Sequence, residues 1–82
     1  MKTTIEISKY PLNENYEPPI LNFIERLNTH EGIEVKTNAT ATQLVGDYDE
    51  IMGLLQKEIK HSFELYGKAI FVVKILHGAL DI

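Results

Sequence analysis

The sequence contains no cysteine and only one arginine, Arg26, among its 82 residues. Without cysteine there are no disulfides, no thiolate metal ligands and no thiol redox chemistry, and the expected compartment is the reducing cytoplasm. With one arginine and a net charge of −4, twelve acidic residues against eight basic, the clustered cations that displace counterions from phosphates are missing, so no nucleic acid is expected as a partner. Long apolar runs are missing too. The longest spans Ala69 to Leu76 and is broken by Lys74, far short of the roughly 20 residues of a membrane helix. Met1 to Ser8 alternates polar and apolar residues where a signal peptide needs a continuous apolar stretch. Neither secretion nor membrane insertion is expected.

The sequence also lacks the patterns of common active sites. There is no G-x-S-x-G elbow and no serine with an evident histidine partner. Gly46 stands alone before its helix, so no glycine-rich phosphate loop is present. The loop "PLNENYEPP" has neither the arginine nor the glycine with which acylphosphatases hold phosphate. His30, His61 and His77 fall on separate elements without ligand spacing, and no cysteine pair follows "HEG" to hold zinc. The expectation is a protein with no catalytic residue, no metal and no cofactor, whose histidines are ordinary surface residues.

What is present is a hydrophobic fraction of 44% with 24% charged residues, ordinary for one folded domain over 1–82 and too apolar for a disordered chain. From Thr3 to Tyr10, Ile5 and Ile7 alternate with Thr4, Glu6, Ser8 and Tyr10, the period of a half-buried strand that Pro11 ends. Pro18 and Pro19 are tolerated in a helix's first turn, and Ile20, Leu21, Phe23, Ile24 and Leu27 recur at helical spacing until about Asn28 to Gly32. Ile33 to Thr37 and Thr40 to Val45 read as a hairpin turning at Asn38, a residue that accepts positive φ. "GDYDE" supplies a helix start, with Asp47 as cap and Glu50 three residues on. Ile51, Leu55, Ile59 and Phe63 form the buried stripe of that helix, Gly67 ends it in a left-handed conformation, and Lys68 to Leu76 follows as a strand.

The order βαββαβ, with two right-handed crossovers around a hairpin, predicts an α+β ferredoxin-like sandwich: a four-stranded antiparallel sheet with both helices on one face. The last strand is apolar on both sides, Ala69, Phe71, Val73 and Ile75 on one and Ile70, Val72 and Leu76 on the other. Helices cover one face of such a sheet. The other is expected to be buried by a second subunit.

In this topology the first and third strands are neighbours. That brings Ser8 and Tyr10 close to Thr40 and Thr42, with Thr37 and Asn38 nearby. Taken singly, these are ordinary solvated strand residues. Together they offer hydroxyl and amide groups beside one aromatic face, which suits a flat heteroaromatic ligand such as an aminopyrimidine. Tyr10 would stack on the ring, Asn38 and Thr42 would hydrogen-bond its edge, and Ser8 would orient it.

"IEISKYPL" and "TATQLVGDYDEIMGLLQ", each leading into a helix, resemble the YkoF-like family that binds thiamine and its hydroxymethylpyrimidine precursor. The likeness runs from Ile5 to about Ile75. It is carried by Ser8, Tyr10 and Pro11, then Thr42, Leu44, Gly46, Asp47 and Asp49, with Lys9 standing where an apolar residue is expected. The resemblance implies the same ferredoxin-like domain, non-enzymatic ligand binding in vitamin uptake or salvage, and assembly into homodimers or homotetramers through the sheet. The alternative is an ACT-like regulatory or assembly module acting through its oligomer interface, although the loop after the first strand lacks the glycine such modules place there.

Overall fold

The computed structural model describes residues Met1–Ile82. Its elements are β1 (Lys2–Pro11), α1 (Glu17–Asn28), β2 (Glu34–Thr37), β3 (Thr42–Asp47), α2 (Tyr48–Tyr66) and β4 (Ala69–His77). The strands form one antiparallel sheet in the order β2-β3-β1-β4, and the chain has the ferredoxin-like α+β fold.

Register divides the side chains between the two faces. Ile5 lies opposite Leu44 and Ile7 opposite Thr42, and these residues face the helices, where Phe23 and Leu27 of α1 and Ile51, Leu54 and Leu55 of α2 complete the core. Because successive strand residues point to opposite faces, Thr4, Glu6, Ser8 and Tyr10 stand on the open face. Proline ends β1 a residue later than the alternation implies, since Pro11 still lies opposite Ala69.

Each helix starts as its residues dictate. Pro18 and Pro19 occupy the first turn of α1, where a missing N–H costs nothing. Asp47 caps α2 by accepting from the Glu50 amide at 3.3 Å, and it also faces the N-terminal ammonium at 3.5 Å. Gly46 lets the first turn of α2 approach: a Cβ there would meet Ile33 Cγ1 at 3.3 Å and Ile51 Cδ1 at 3.5 Å. Gly67 ends the helix at φ 82° and ψ −142°, a positive φ with an extended ψ that side chains other than glycine's avoid.

Three details differ from the sequence reading. The hairpin does not turn on a left-handed Asn38, because no residue other than glycine has positive φ. A longer loop, Asn38 to Ala41, delays β3 to Thr42. In the helices, Leu21 and Phe63 are exposed, and the buried line of α2 runs instead through Ile51, Leu54, Leu55, Glu58 and Ser62. Glu58 and Ser62 are buried because other elements bring them partners, Arg26 and Lys9.

The third difference concerns β4, an edge strand beyond the reach of the helices over most of its length. Phe71 packs on the core, but Val73 and Ile75, on the same face, are 37% and 54% exposed. Ile70, Val72 and Leu76 on the open face are exposed as well. Past β4 the chain turns at Gly78 (φ 110°) and runs back over the open face. The Leu80 amide donates to Thr4 Oγ1 at 2.9 Å, and Lys36 Nζ on β2 donates to the Ile82 carbonyl at 2.6 Å.

Candidate functional site

A cavity of about 470 Å³ opens where the end of β1, the β2–β3 loop and the first half of α1 meet. That is the size range of small-molecule sites. Ser8, Tyr10, Asn38 and Thr42 all line it, as do Thr37 and Thr40. The strand pairing explains the gathering. β1 and β3 cease to pair after Ile7 and Thr42, so beyond that point the strand end and the hairpin loop part and leave a gap that α1 roofs.

The four residues do not present their side chains alike. Thr42 shares the helix-covered face with Ile7 and is 4% exposed; its Oγ1 lies 3.1 Å from Thr37 Oγ1. Ser8 and Tyr10 belong to the opposite face. Ser8 Oγ donates to the Thr40 carbonyl at 3.1 Å and so ties the strand end to the loop. Tyr10, also a lining residue, stands opposite Ile70 and is 55% exposed.

Asn38 shapes the loop. Its Oδ1 accepts from the backbone amides of Thr40 and Ala41, each at 3.0 Å, and from Thr40 Oγ1 at 3.2 Å, while its backbone N–H donates to the Ala41 carbonyl at 2.9 Å. This is an Asx turn, which explains asparagine at the corner without positive φ. With Oδ1 occupied, the Nδ2 donors are the part of Asn38 left for another partner.

Sequence reasoning missed the other half of the wall. Asn13, Tyr16, Ile20, Phe23 and Ile24 come from the loop before α1 and from α1 itself. Tyr16 is the N-cap residue of α1 and 62% exposed. An aromatic residue placed immediately before a proline-started helix was the available signal, because it has no core to enter.

Lys9 is the remaining lining residue of note. It points to the helix side, where its Nζ donates to the Pro19 carbonyl at 2.9 Å and to Ser62 Oγ. The ring centroids of Tyr66, Phe71 and Phe23 lie 5.4, 5.6 and 5.7 Å from the nitrogen. Burial among these groups holds its pKa below the ordinary lysine value. Elsewhere no group of three or more His, Asp and Glu side chains converges, and no helix is long and apolar enough to cross a membrane.

An α+β domain with a cavity of mixed apolar and polar lining at one end of its sheet is therefore the class of molecule these residues build. Protein-family models and curated proteins give no match to the chain. Solved structures do. A proposed thiamine biosynthesis/salvage protein of Thermotoga maritima superposes with a TM-score of 0.88 at 19% identity, covering 100% of this chain and 91% of that one. A Streptococcus pneumoniae protein gives 0.87 at 26% identity, over 98% and 90%. A domain of unknown function, DUF77, from Bacillus cereus gives 0.75 at 15% identity, over 96% and 78%. The likeness is one of fold.

Proposed function

We propose that this chain is a non-enzymatic binding protein for thiamine or its hydroxymethylpyrimidine precursor, serving vitamin uptake or salvage in the cytoplasm. The observation that carries the reading is the cavity, whose wall combines hydroxyl and amide groups with aromatic rings. An aminopyrimidine presents ring-nitrogen acceptors beside an amino donor. The Asn38 Nδ2 donors suit the former, and the oxygens of the Thr37–Thr42 pair suit the latter. Tyr10 supplies an aromatic face for the ring, and Ser8 holds the loop in place. The description of the Thermotoga maritima protein, which shares the fold, supports the same ligand class.

The working unit in this proposal is a homodimer or homotetramer joined through the sheet. The apolar side chains left exposed along β4 favour it, and the same observation favours the second reading, an ACT-like module whose function is assembly. Titration calorimetry separates the two. Heat of binding with thiamine or 4-amino-5-hydroxymethyl-2-methylpyrimidine, weakened in Tyr10→Ala, is the expected result. No heat from either compound near millimolar concentration, with self-association intact, overturns the vitamin reading and leaves the assembly module.

A further inference from the structure

Beyond β4 the chain lies across the open face of the sheet as a strap. The Gly78 amide donates to the Lys2 carbonyl at 2.9 Å. Thr4 Oγ1 donates to the Gly78 carbonyl at 2.8 Å and accepts from the Leu80 amide at 2.9 Å, and Lys36, on the far edge strand β2, holds the Ile82 carbonyl. Thr4 is 6% exposed, although it stands on the face that the helices leave bare. The other half of that face, next to the cavity, is uncovered: Tyr10, Ile70 and Val72 are 55%, 52% and 48% exposed. We propose that the strap confines subunit contact to this uncovered half, so that a second copy of the chain seats on Ser8 and Tyr10 and completes the ligand site, making thiamine binding and self-association mutually reinforcing. The inference rests on the vitamin reading above and adds how that site is regulated.

Three features of the geometry carry it. The first is thickness. Sheets stacked face to face lie about 10 Å apart, which accommodates two layers of side chains and no backbone between them, so the strap keeps a second sheet off the Thr4 end. The second is charge. Ser8, Tyr10, Ile70 and Val72 carry none, and Glu6, the next open-face residue of β1, is neutralised by Lys74 at 3.4 Å. Two chains of net charge −4 therefore meet here without like charges opposed, and a two-fold axis beside that ion pair would bring Lys74 of each copy to Glu6 of the other. The third is that patch and cavity share residues. Ser8 and Tyr10 line the cavity and lie opposite Val72 and Ile70 on β4. The bond from Ser8 Oγ to the Thr40 carbonyl, which ties the strand end to the loop of the cavity, is exposed in the single chain. A copy seated over Val72 shields that bond from water and restricts Tyr10, so part of the ordering that a ligand demands is already in place.

The test reads the coupling from both sides, because a ligand that favours the assembled chain is bound more tightly by it, and by the same factor. In sedimentation velocity on the full chain, at concentrations where monomer and assembly coexist, saturating thiamine is expected to tighten self-association about tenfold. Val72→Lys, at a position that does not line the cavity, is expected to give a monomer that binds thiamine about tenfold more weakly by calorimetry. Leu76→Lys, opposite Thr4 beside the strap, is expected to keep both assembly and affinity. Thiamine binding by the Val72→Lys monomer as tight as that of the wild type overturns the inference and leaves the vitamin reading standing, as does wild-type association that ignores thiamine. Loss of assembly in Leu76→Lys equal to that in Val72→Lys also overturns it, since the strap would then confine nothing. If the wild type gives no heat with thiamine, the vitamin reading falls and this inference with it. The thiamine dependence of wild-type sedimentation needs no variant, so a Val72→Lys chain that fails to fold does not remove the test.

Discussion

Arg26 Nε lies 2.5 Å from Glu58 Oε1, joining α1 to α2. The Glu58 side chain is 5% exposed and that of Arg26 36%, so the carboxylate sits in the interior with its partner reaching in from the surface. Removing the cation leaves a buried charge uncompensated, which in a fully buried pair costs about 3–5 kcal/mol. Because Arg26 is partly solvated, Arg26→Ala is expected to cost about 2 kcal/mol, read as a lower urea midpoint with unchanged slope. The double variant Arg26→Met, Glu58→Leu, which removes both charges and keeps volume, should recover most of that loss. Additive losses in the double variant would show that the pair does not act as a unit.

Asn38 holds the hairpin loop through bonds that no aliphatic side chain can replace. Asn38→Ala removes the acceptor of the Thr40 and Ala41 amides. Both amides are near water, so the expected loss is about 1 kcal/mol rather than the sum of two buried bonds. The same change should weaken ligand binding more than stability, because the loop forms one wall of the cavity. Asn38→Asp keeps the turn acceptor but not the Nδ2 donors. It is expected to restore the urea midpoint without restoring the heat of binding, a separation that calorimetry on both variants would reveal. Recovery of both by Asp would show that Asn38 serves only the turn.

The fold was legible because local signals agreed with one another. Ile5 and Ile7 alternate as a one-sided strand, the proline pair opens α1, and Asp47 caps α2; each fixes an element within a residue or two of where it lies. The polar residues of the cavity were legible for the same reason, since topology alone makes β1 and β3 neighbours. What stayed hidden depends on contacts between distant elements. Nothing near Lys9 in sequence announces Phe23, Tyr66 and Phe71, which come from α1, α2 and β4. Glu58 and Ser62 read as polar positions on an amphipathic helix until Arg26 and Lys9 arrive to meet them. The sorting of Ser8 and Thr42 onto opposite faces follows from a register that composition does not specify.

β4 exposes Val73 and Ile75 on one face and Ile70, Val72 and Leu76 on the other, and as the last strand of the sheet it has an unpaired edge. Edge strands of this kind are normally blunted by charge, and here Lys74, tied to Glu6 at 3.4 Å, is the one charged side chain between Ala69 and Leu76. If the proposed subunit contact uses the open face, Val72→Lys should shift sedimentation velocity to the monomer without lowering the urea midpoint measured at low protein concentration. Lys at Ile75, on the helix side, should leave the larger species intact. An unaltered assembly in Val72→Lys would move the contact away from the open face.

Lys9 makes the alkaline stability of this chain run against the common pattern for a lysine that gains a partner. Burial lowers its folded pKa below the unfolded value of 10.5. Below the lowered value both states carry the proton, and the desolvation penalty on the folded state is fully present. Between the lowered value and 10.5 the unfolded chain binds a proton that the native chain has released, so the penalty is relieved as pH rises through that window. Lys9→Met has no such group. The difference in stability between the wild type and Lys9→Met should therefore move in favour of the wild type with rising pH and level off above 10.5. Tyr66 faces the same nitrogen, so the comparison belongs in a Tyr66→Phe background, which keeps the ring and removes its hydroxyl. Urea midpoints at a series of pH values give the difference directly. A flat difference across the window would mean that the Lys9 amine is as well solvated in the folded chain as in the unfolded one, and a difference moving the other way would mean that an unrecognised anion holds its charge.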